Sequence, residues 1–183
     1  MEKRRKLSVA DMSVCGLFAA LSAVLSQIVI PIGPVPVNLA LLSVFLAGGL
    51  LGAKYGVVSQ LVFVVLGAAG APVFAGFTGG PGVIVGKTGG FIAGYIACVF
   101  LIGLAAERFG RSALVLVPAM TAGALVTYTL GTLWFMVVTH TPLAAALGYC
   151  VLPFLPGDAG KIALSAALVP MLYRMLQRPG GTV

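Results

Sequence analysis

Four stretches of this chain, residues 12–53, 55–86, 88–106 and 112–157, contain no Asp, Glu, Lys or Arg. A soluble fold cannot keep runs of that length away from water, because every helix or strand on its surface needs a polar face. With 60% hydrophobic and 8% charged residues among 183, and a mean hydropathy of +1.13, most of the surface must face lipid. The runs are rich in Leu, Ala, Val and Gly and lack strand alternation, which predicts a helical bundle and argues against an outer-membrane barrel. The chain reads as an all-α integral membrane protein. There is no room for a soluble catalytic, nucleotide-binding or DNA-binding domain, and the length fits one membrane domain over 1–183.

A spanning helix needs about 20 apolar residues, which places six spans near 10–30, 37–53, 55–71, 84–106, 112–139 and 157–175. Gly52-Ala53-Lys54-Tyr55-Gly56 separates the short second and third spans, and Pro31-Ile32-Gly33-Pro34-Val35-Pro36 forms an extended first loop. Residues 1–9 form a basic cytoplasmic segment, too closely joined to a long apolar span to be a cleaved signal peptide, and 176–183 form a cytoplasmic tail. The net charge of +7 is spread between apolar runs, so it speaks of topology and not of nucleic acid. With both termini in the cytoplasm, Lys3, Arg4, Arg5, Lys6, Lys54, Arg108, Arg111, Arg174 and Arg178 all fall inside. Lys87 and Lys161 are left on the outer side, together with Asp158 and the lone His140.

Asp158 and Lys161 are three residues apart, on one face of the first turn of the last helix, close to the outer water. Ionisable residues in so charge-poor a chain are candidates for function; the alternative is an interfacial ion pair that caps the helix. Between the third and fourth spans lies a glycine-rich segment, residues 70–91, which carries Lys87 and Thr88 beside Phe74, Phe77 and Phe91. Such a loop can cradle a small anion, or it can be an ordinary loop with aromatic interfacial anchors. Its Gly-Lys-Thr is no P-loop, because no strand precedes it and it faces outward. Cys15, Cys98 and Cys150 lie far apart and read as buried hydrophobes, His140 as an interfacial side chain, so no metal site or cofactor is expected. No arrangement of nucleophile, base and oxyanion donors is visible either, and enzymatic activity is not expected.

Pro34-Val35-Pro36-Val37, residues 71–76 (Ala-Pro-Val-Phe-Ala-Gly), residues 86–91 (Gly-Lys-Thr-Gly-Gly-Phe) and residues 153–161 (Pro-Phe-Leu-Pro-Gly-Asp-Ala-Gly-Lys), in that order, resemble the BioY family. BioY proteins are the biotin-specific substrate-binding (S) components of energy-coupling-factor (ECF) transporters, and the resemblance runs from about 12 to 176. Asn38-Leu39-Ala40 and Lys87 depart from the family pattern. The resemblance implies a six-helix bundle in a bacterial or archaeal cell membrane with an outward-opening pocket. It implies that Asp158 accepts from the ureido nitrogens of biotin, and that Lys161, helped by Lys87, binds ureido or carboxylate oxygens. Thr88 belongs to the same loop, and Phe74, Phe77, Phe91, Trp134 and Tyr149 are candidate walls. The first helix presents Gly16, Ala19, Ala20 and Ala23, a face without bulk that a second helix can approach. The resemblance implies that this face docks on a transmembrane coupling subunit, the T component, which carries two ATPases; self-association stays open. The other reading is a proton-coupled or facilitative carrier for a different vitamin.

Overall fold

The computed structural model describes residues 9–176. Lys3, Arg4, Arg5, Lys6 and Arg178 lie outside them. In chain order the elements are α1 (Val9–Ser26), β1 (Val29–Ile30), β2 (Val37–Asn38), α2 (Ala40–Ala68), α3 (Pro81–Val85), α4 (Gly89–Phe109), α5 (Ala113–Thr139), α6 (Leu143–Cys150) and α7 (Leu155–Leu176). The first loop is an antiparallel hairpin, Val29 opposite Asn38 and Ile30 opposite Val37, with the prolines between its arms. Helices α1, α2, α4 and α5 are each long and apolar enough to cross a membrane, and α6 and α7 together form a broken span bent by 45°.

The 29 residues of α2 make two passes. Gly52 has φ +79° and ψ −175°, which ends one helix and starts another, and a left-handed φ of this kind favours glycine. Across this break the chain folds back: a Cβ on Gly56 would lie 3.5 Å from the carbonyl oxygen of Ala47, whereas nine residues of straight helix would separate them by about 13 Å. Ser22 of α1 confirms the pairing, since its hydroxyl meets Ser43 at 2.7 Å and receives the Gln60 amide at 3.1 Å, one partner from each half. With α2 counted twice and α6–α7 once, the bundle has the six passes expected. Glycines let the hairpin and α4 touch: a Cβ on Gly48 would press on Ile102, one on Gly56 on Val99, and one on Gly103 on the backbone of Ala53.

The inner end is fixed by charge. Glu107 of α4 accepts from the Ala53 N–H at 2.9 Å, capping the second half of α2, and Arg111 donates to the Gly49 carbonyl at 2.8 Å, closing the first half. Each charge has the sign that the adjoining helix end favours. Arg111 also lies over the ring of Tyr173, 3.9 Å from its centroid, which ties the last turns of α7 to the same end. Lys54, Arg108, Arg111 and Arg174 therefore share one end, which the positive-inside rule assigns to the cytoplasm.

The last span differs from the expectation of a helix beginning near 157. Left-handed His140 (φ 54°) turns the chain after α5, and α6 already descends beside α5, with Tyr149 against Phe135 at 6.5 Å. The descent breaks at residues 151–154 and resumes as α7. Asp158 consequently sits opposite Tyr128, 12 residues down α5 from His140, or about 18 Å at 1.5 Å per residue. That is near the middle of a hydrocarbon layer roughly 30 Å thick. The expectation that Asp158 and Lys161 lie close to the outer water is thus corrected: a span that begins 14 residues earlier, at Leu143, carries them to mid-depth.

Candidate functional site

At the ends of α2 remote from Gly52, the two loops and the outer ends of the helices enclose a cavity of about 510 Å³. The first hairpin supplies Pro31, Gly33, Pro34, Val35, Pro36 and Asn38; the glycine-rich segment supplies Phe74, Ala75, Thr78, Gly82, Val83, Gly86, Lys87 and Thr88; α4 supplies Phe91 and Tyr95, and the α6–α7 break supplies Phe154. The volume lies in the range of about 300–1,000 Å³ usual for small-molecule sites. Phe91 and Phe154 stack with ring centroids 5.8 Å apart and planes 15° from parallel. Phe74 stands edge-on to Phe63 at 5.4 Å. The wall is aromatic and apolar on these sides, with exposed Lys87 as the cation on its rim.

The two loops are stitched together by Gln27. Its amide nitrogen donates to the Val73 carbonyl at 3.0 Å, and its oxygen accepts from the Phe77 N–H at 2.7 Å. Ser26 also donates to the Val73 carbonyl. Trp134 of α5 holds the far side of the glycine-rich segment through a 2.9 Å bond to the Gly86 carbonyl. A glycine-rich loop has little side-chain packing of its own, so these bonds set its position.

Behind the cavity lies the ion pair. Lys161 Nζ is 2.6 Å from Asp158 Oδ1, and the two residues are 5% and 2% exposed. Nζ also donates to the backbone carbonyl of Asn38 at 2.6 Å. The second carboxylate oxygen of Asp158 accepts from the hydroxyl of Tyr128. Neither charge lines the cavity itself; Asn38 and Phe154, which touch or flank the pair, do. Burying two charges is tolerable when geometry is good and further hydrogen bonds satisfy both groups, and here the pair has one additional partner on each side.

Of the residues picked out in the sequence, Phe74, Lys87, Thr88 and Phe91 are brought together on the cavity wall, and Asp158 and Lys161 behind it. Phe77 is not in the wall: it has φ 57° and is 71% exposed at the tip of its loop. Tyr149 packs on Phe135 and beside Gly33 of the first loop but is not in the cavity wall, and Trp134 acts on the cavity only through Gly86. Gln27, Asn38, Tyr95 and Tyr128 were missed. In α1, Ala19 points into the bundle against Phe63, Phe74 and Ile92, with Ala23 packed beside it, whereas Gly16 and Ala20 face outward.

Residues 1–178 match the model of the BioY family. The chain belongs to the BioY family. Curated relatives include the biotin transporter BioY of Thermotoga maritima, 39% identical over 160 residues that cover 87% of this chain and 94% of the relative. The probable biotin transporter BioY of Pyrococcus horikoshii is 39% identical over 166 residues, 91% of this chain and 98% of the relative. Among solved structures, the S-component for biotin from an ECF-type ABC transporter, a crystal structure at 2.1 Å, superposes with a TM-score of 0.85 at 30% identity, over 99% of this chain and 96% of that one. A BioY protein is a transporter component, not an enzyme, and this one is a multi-pass membrane protein.

Proposed function

We propose that this chain is the substrate-binding S component of an ECF transporter, taking biotin into the cavity from the outer face and delivering it inward with a T component and two ATPases. The single observation that carries the reading is a cavity walled by Phe74, Phe91 and Phe154, with Lys87 on its rim and the Asp158–Lys161 pair behind it. Biotin offers a matching set: a bicyclic body for the rings, a carboxylate for a cation, and a ureido group that donates two N–H bonds and accepts at oxygen. In this reading Lys87 and Thr88 meet the valerate carboxylate at the rim. The ureido group meets the pair, its N–H donating to Asp158 and its oxygen accepting from Lys161.

Reaching the pair requires one exchange. Lys161 gives one of its three N–H donors to Asp158 and one to the Asn38 carbonyl. Asn38 is the residue of the cavity wall that lies against the pair, so an incoming oxygen that reaches Lys161 from the cavity replaces that carbonyl with another at similar energy. Asn38 ends the first hairpin, which is therefore the element that shifts as ligand enters. For the coupling subunit, Gly16 and Ala20 supply the outward small-residue face of α1.

Thermal melting of the detergent-purified protein against a panel of vitamins tests the reading. A ligand at a hundredfold excess over Kd stabilises the folded state by about 2.7 kcal/mol, so biotin should raise Tm and other vitamins should not. A shift with a different vitamin alone would replace the substrate, and no shift with any would sink the assignment. The mid-depth carboxylate is the one observation that favours proton coupling; uptake that collapses with an uncoupler but survives ATP depletion would establish it. The 2.6 Å bond to Lys161 argues for a fixed ion pair instead.

A further inference from the structure

A second cavity, a groove of about 400 Å³, lies between α5 and α7 and is lined by Val117, Thr121, Leu125, Tyr128, Leu155, Asp158 and Ile162 among others. The Asp158 carboxylate thus stands between two spaces, the aromatic cavity behind Asn38 and this apolar groove on the lipid side. Lys161 engages one of its oxygens from the same helix, three residues on. That contact alone restrains the carboxylate weakly, because the flexible lysine side chain can follow the oxygen as the group turns about its Cβ–Cγ bond. The second oxygen is held from a different helix, by the Tyr128 hydroxyl. Tyr128 is itself 6% exposed and packed against Phe154, with ring centroids 6.3 Å apart, so its own position is set by the ring that walls the cavity.

No other group on the groove side can take over. Thr121 carries the only other side-chain hydroxyl among the groove residues, and it donates to the Val117 carbonyl at 2.9 Å. The remaining groove side chains, apart from Asp158 and Tyr128, are apolar. Without the phenol, an oxygen of a buried carboxylate would face hydrocarbon, and the group would turn toward whatever donor remained. Lys161 is that donor, so both oxygens would compete for the ammonium that the ligand oxygen needs.

We propose that Tyr128 is a positioning residue for ligand recognition: by holding the second oxygen of Asp158 from α5, it orients the carboxylate toward the ligand's N–H groups and keeps Lys161 available to the ligand's oxygen. This rests on the reading that Asp158 meets the ureido group. Tyr128 touches the ligand nowhere; it acts through Asp158.

The experiment is a double-mutant cycle of biotin affinity, by calorimetry on detergent-purified protein, with Tyr128→Phe, Asp158→Asn and both together. Tyr128→Phe keeps the ring against Phe154 and removes only the donor, and it should weaken biotin roughly tenfold, the scale of a hydrogen bond to a charged group. In the Asp158→Asn background the same substitution should do nothing further, because the group it acts through is gone. A loss that simply adds to that of Asp158→Asn would mark a merely structural role and overturn the proposal, as would Tyr128→Phe binding as tightly as the parent. Asp158→Asn binding biotin at full strength would overturn the site assignment itself and this proposal with it, which separates the two failures. The chain has two aspartates, Asp11 and Asp158, so infrared spectra with isotope-labelled aspartate give a second readout. The carboxylate band absent from Asp158→Asn should shift in Tyr128→Phe, and an unshifted band overturns the proposal. Should Tyr128→Phe not fold, Tyr128→Leu, which also removes the hydroxyl, enters the cycle in its place. Additive loss with that variant counts against the proposal in the same way.

Discussion

Lys161 carries its charge to mid-depth with two oxygens in reach, Asp158 Oδ1 and the Asn38 carbonyl, both at 2.6 Å. Removing the ammonium alone leaves Asp158 as an uncompensated buried carboxylate, and breaking such a pair costs about 3–5 kcal/mol. Lys161→Met should therefore melt well below the parent. Asp158→Asn combined with Lys161→Met should recover most of that loss, since a neutral, well-packed replacement is often as stable as the pair, and neither variant should bind biotin. Melting curves with and without biotin check both halves; a Lys161→Met protein that melts like the parent would mean the pair contributes no buried charge. The pair was legible in the sequence because two charges three apart stand out after a charge-free run. Its surroundings were not. The Asn38 contact is made by a backbone carbonyl, which every residue has, and Tyr128 is one phenol in an apolar helix whose facing can be known only once α7 is docked against it. Tyr149 and Phe77 fail for the complementary reason: an aromatic near a motif in sequence has no fixed direction until the backbone gives it one, and the positive φ of Phe77 turns its ring out.

At the level of elements, the α2 hairpin depends on one backbone geometry and two charges from other helices. Gly52 has φ +79°, and a Cβ there would collide with the Glu107 carboxylate that caps Ala53. Gly52→Ala should cost about 1–3 kcal/mol from strain at that φ alone, and more because the cap is displaced. Glu107→Gln keeps an oxygen for the Ala53 N–H but loses the negative charge at the start of the second half, which should cost about 0.3–1 kcal/mol. Thermal melting of the two variants should rank them in that order; equal stability of Gly52→Ala and the parent would mean that the chain can turn here without glycine. The turn was legible because Gly and Lys interrupt two apolar runs at one place. The broken last span was not, because nothing in residues 140–156 is polar enough to separate a loop from a short helix: Leu143–Cys150 is as apolar as the spans themselves. Reading that stretch as an outer loop raised Asp158 to the rim. Starting the descent at Leu143 lowers it by several turns and places the first turn of α7 inside the bundle. There the Leu155 and Asp158 N–H groups are already bonded to the carbonyls of Val151 and Phe154, so that the side chains of Asp158 and Lys161 are what this turn offers a ligand.

At the scale of the whole molecule, α1 is the least covered of the four helices that are each long and apolar enough to cross a membrane: 22% of its span is buried inside the bundle, against 33% for α5 and 56% for α2 and for α4. Its inward face is used up by Cys15, Ala19, Ser22 and Ser26, and Ala19 packs with Phe63 and Phe74 directly under the cavity. The outward face carries Gly16 and Ala20, one turn apart, and a Cβ on Gly16 would meet nothing within 4 Å. In lipid there is no hydrophobic drive to bring helices together, so close approach over small residues is what allows a second helix to bind. The small-residue set that the sequence offers for docking thus divides between two duties: Ala19 and Ala23 pack inward, and Gly16 and Ala20 remain as the face open to a partner. Substitutions on the two faces should separate these duties. Ala20→Leu adds bulk only outside, so biotin binding and Tm of the isolated protein should stay at parental values, while uptake in cells that supply the T component and ATPases should fall at least about tenfold, the effect of losing roughly 1.4 kcal/mol of association. Ala19→Leu adds the same bulk inside, against Phe74 on the cavity wall, and should lower Tm and biotin affinity before any partner is present. Uptake assays and melting curves on the two variants give opposite patterns if α1 is the docking helix; undiminished uptake with Ala20→Leu would move the coupling surface to another face of the bundle while leaving the binding site where it is.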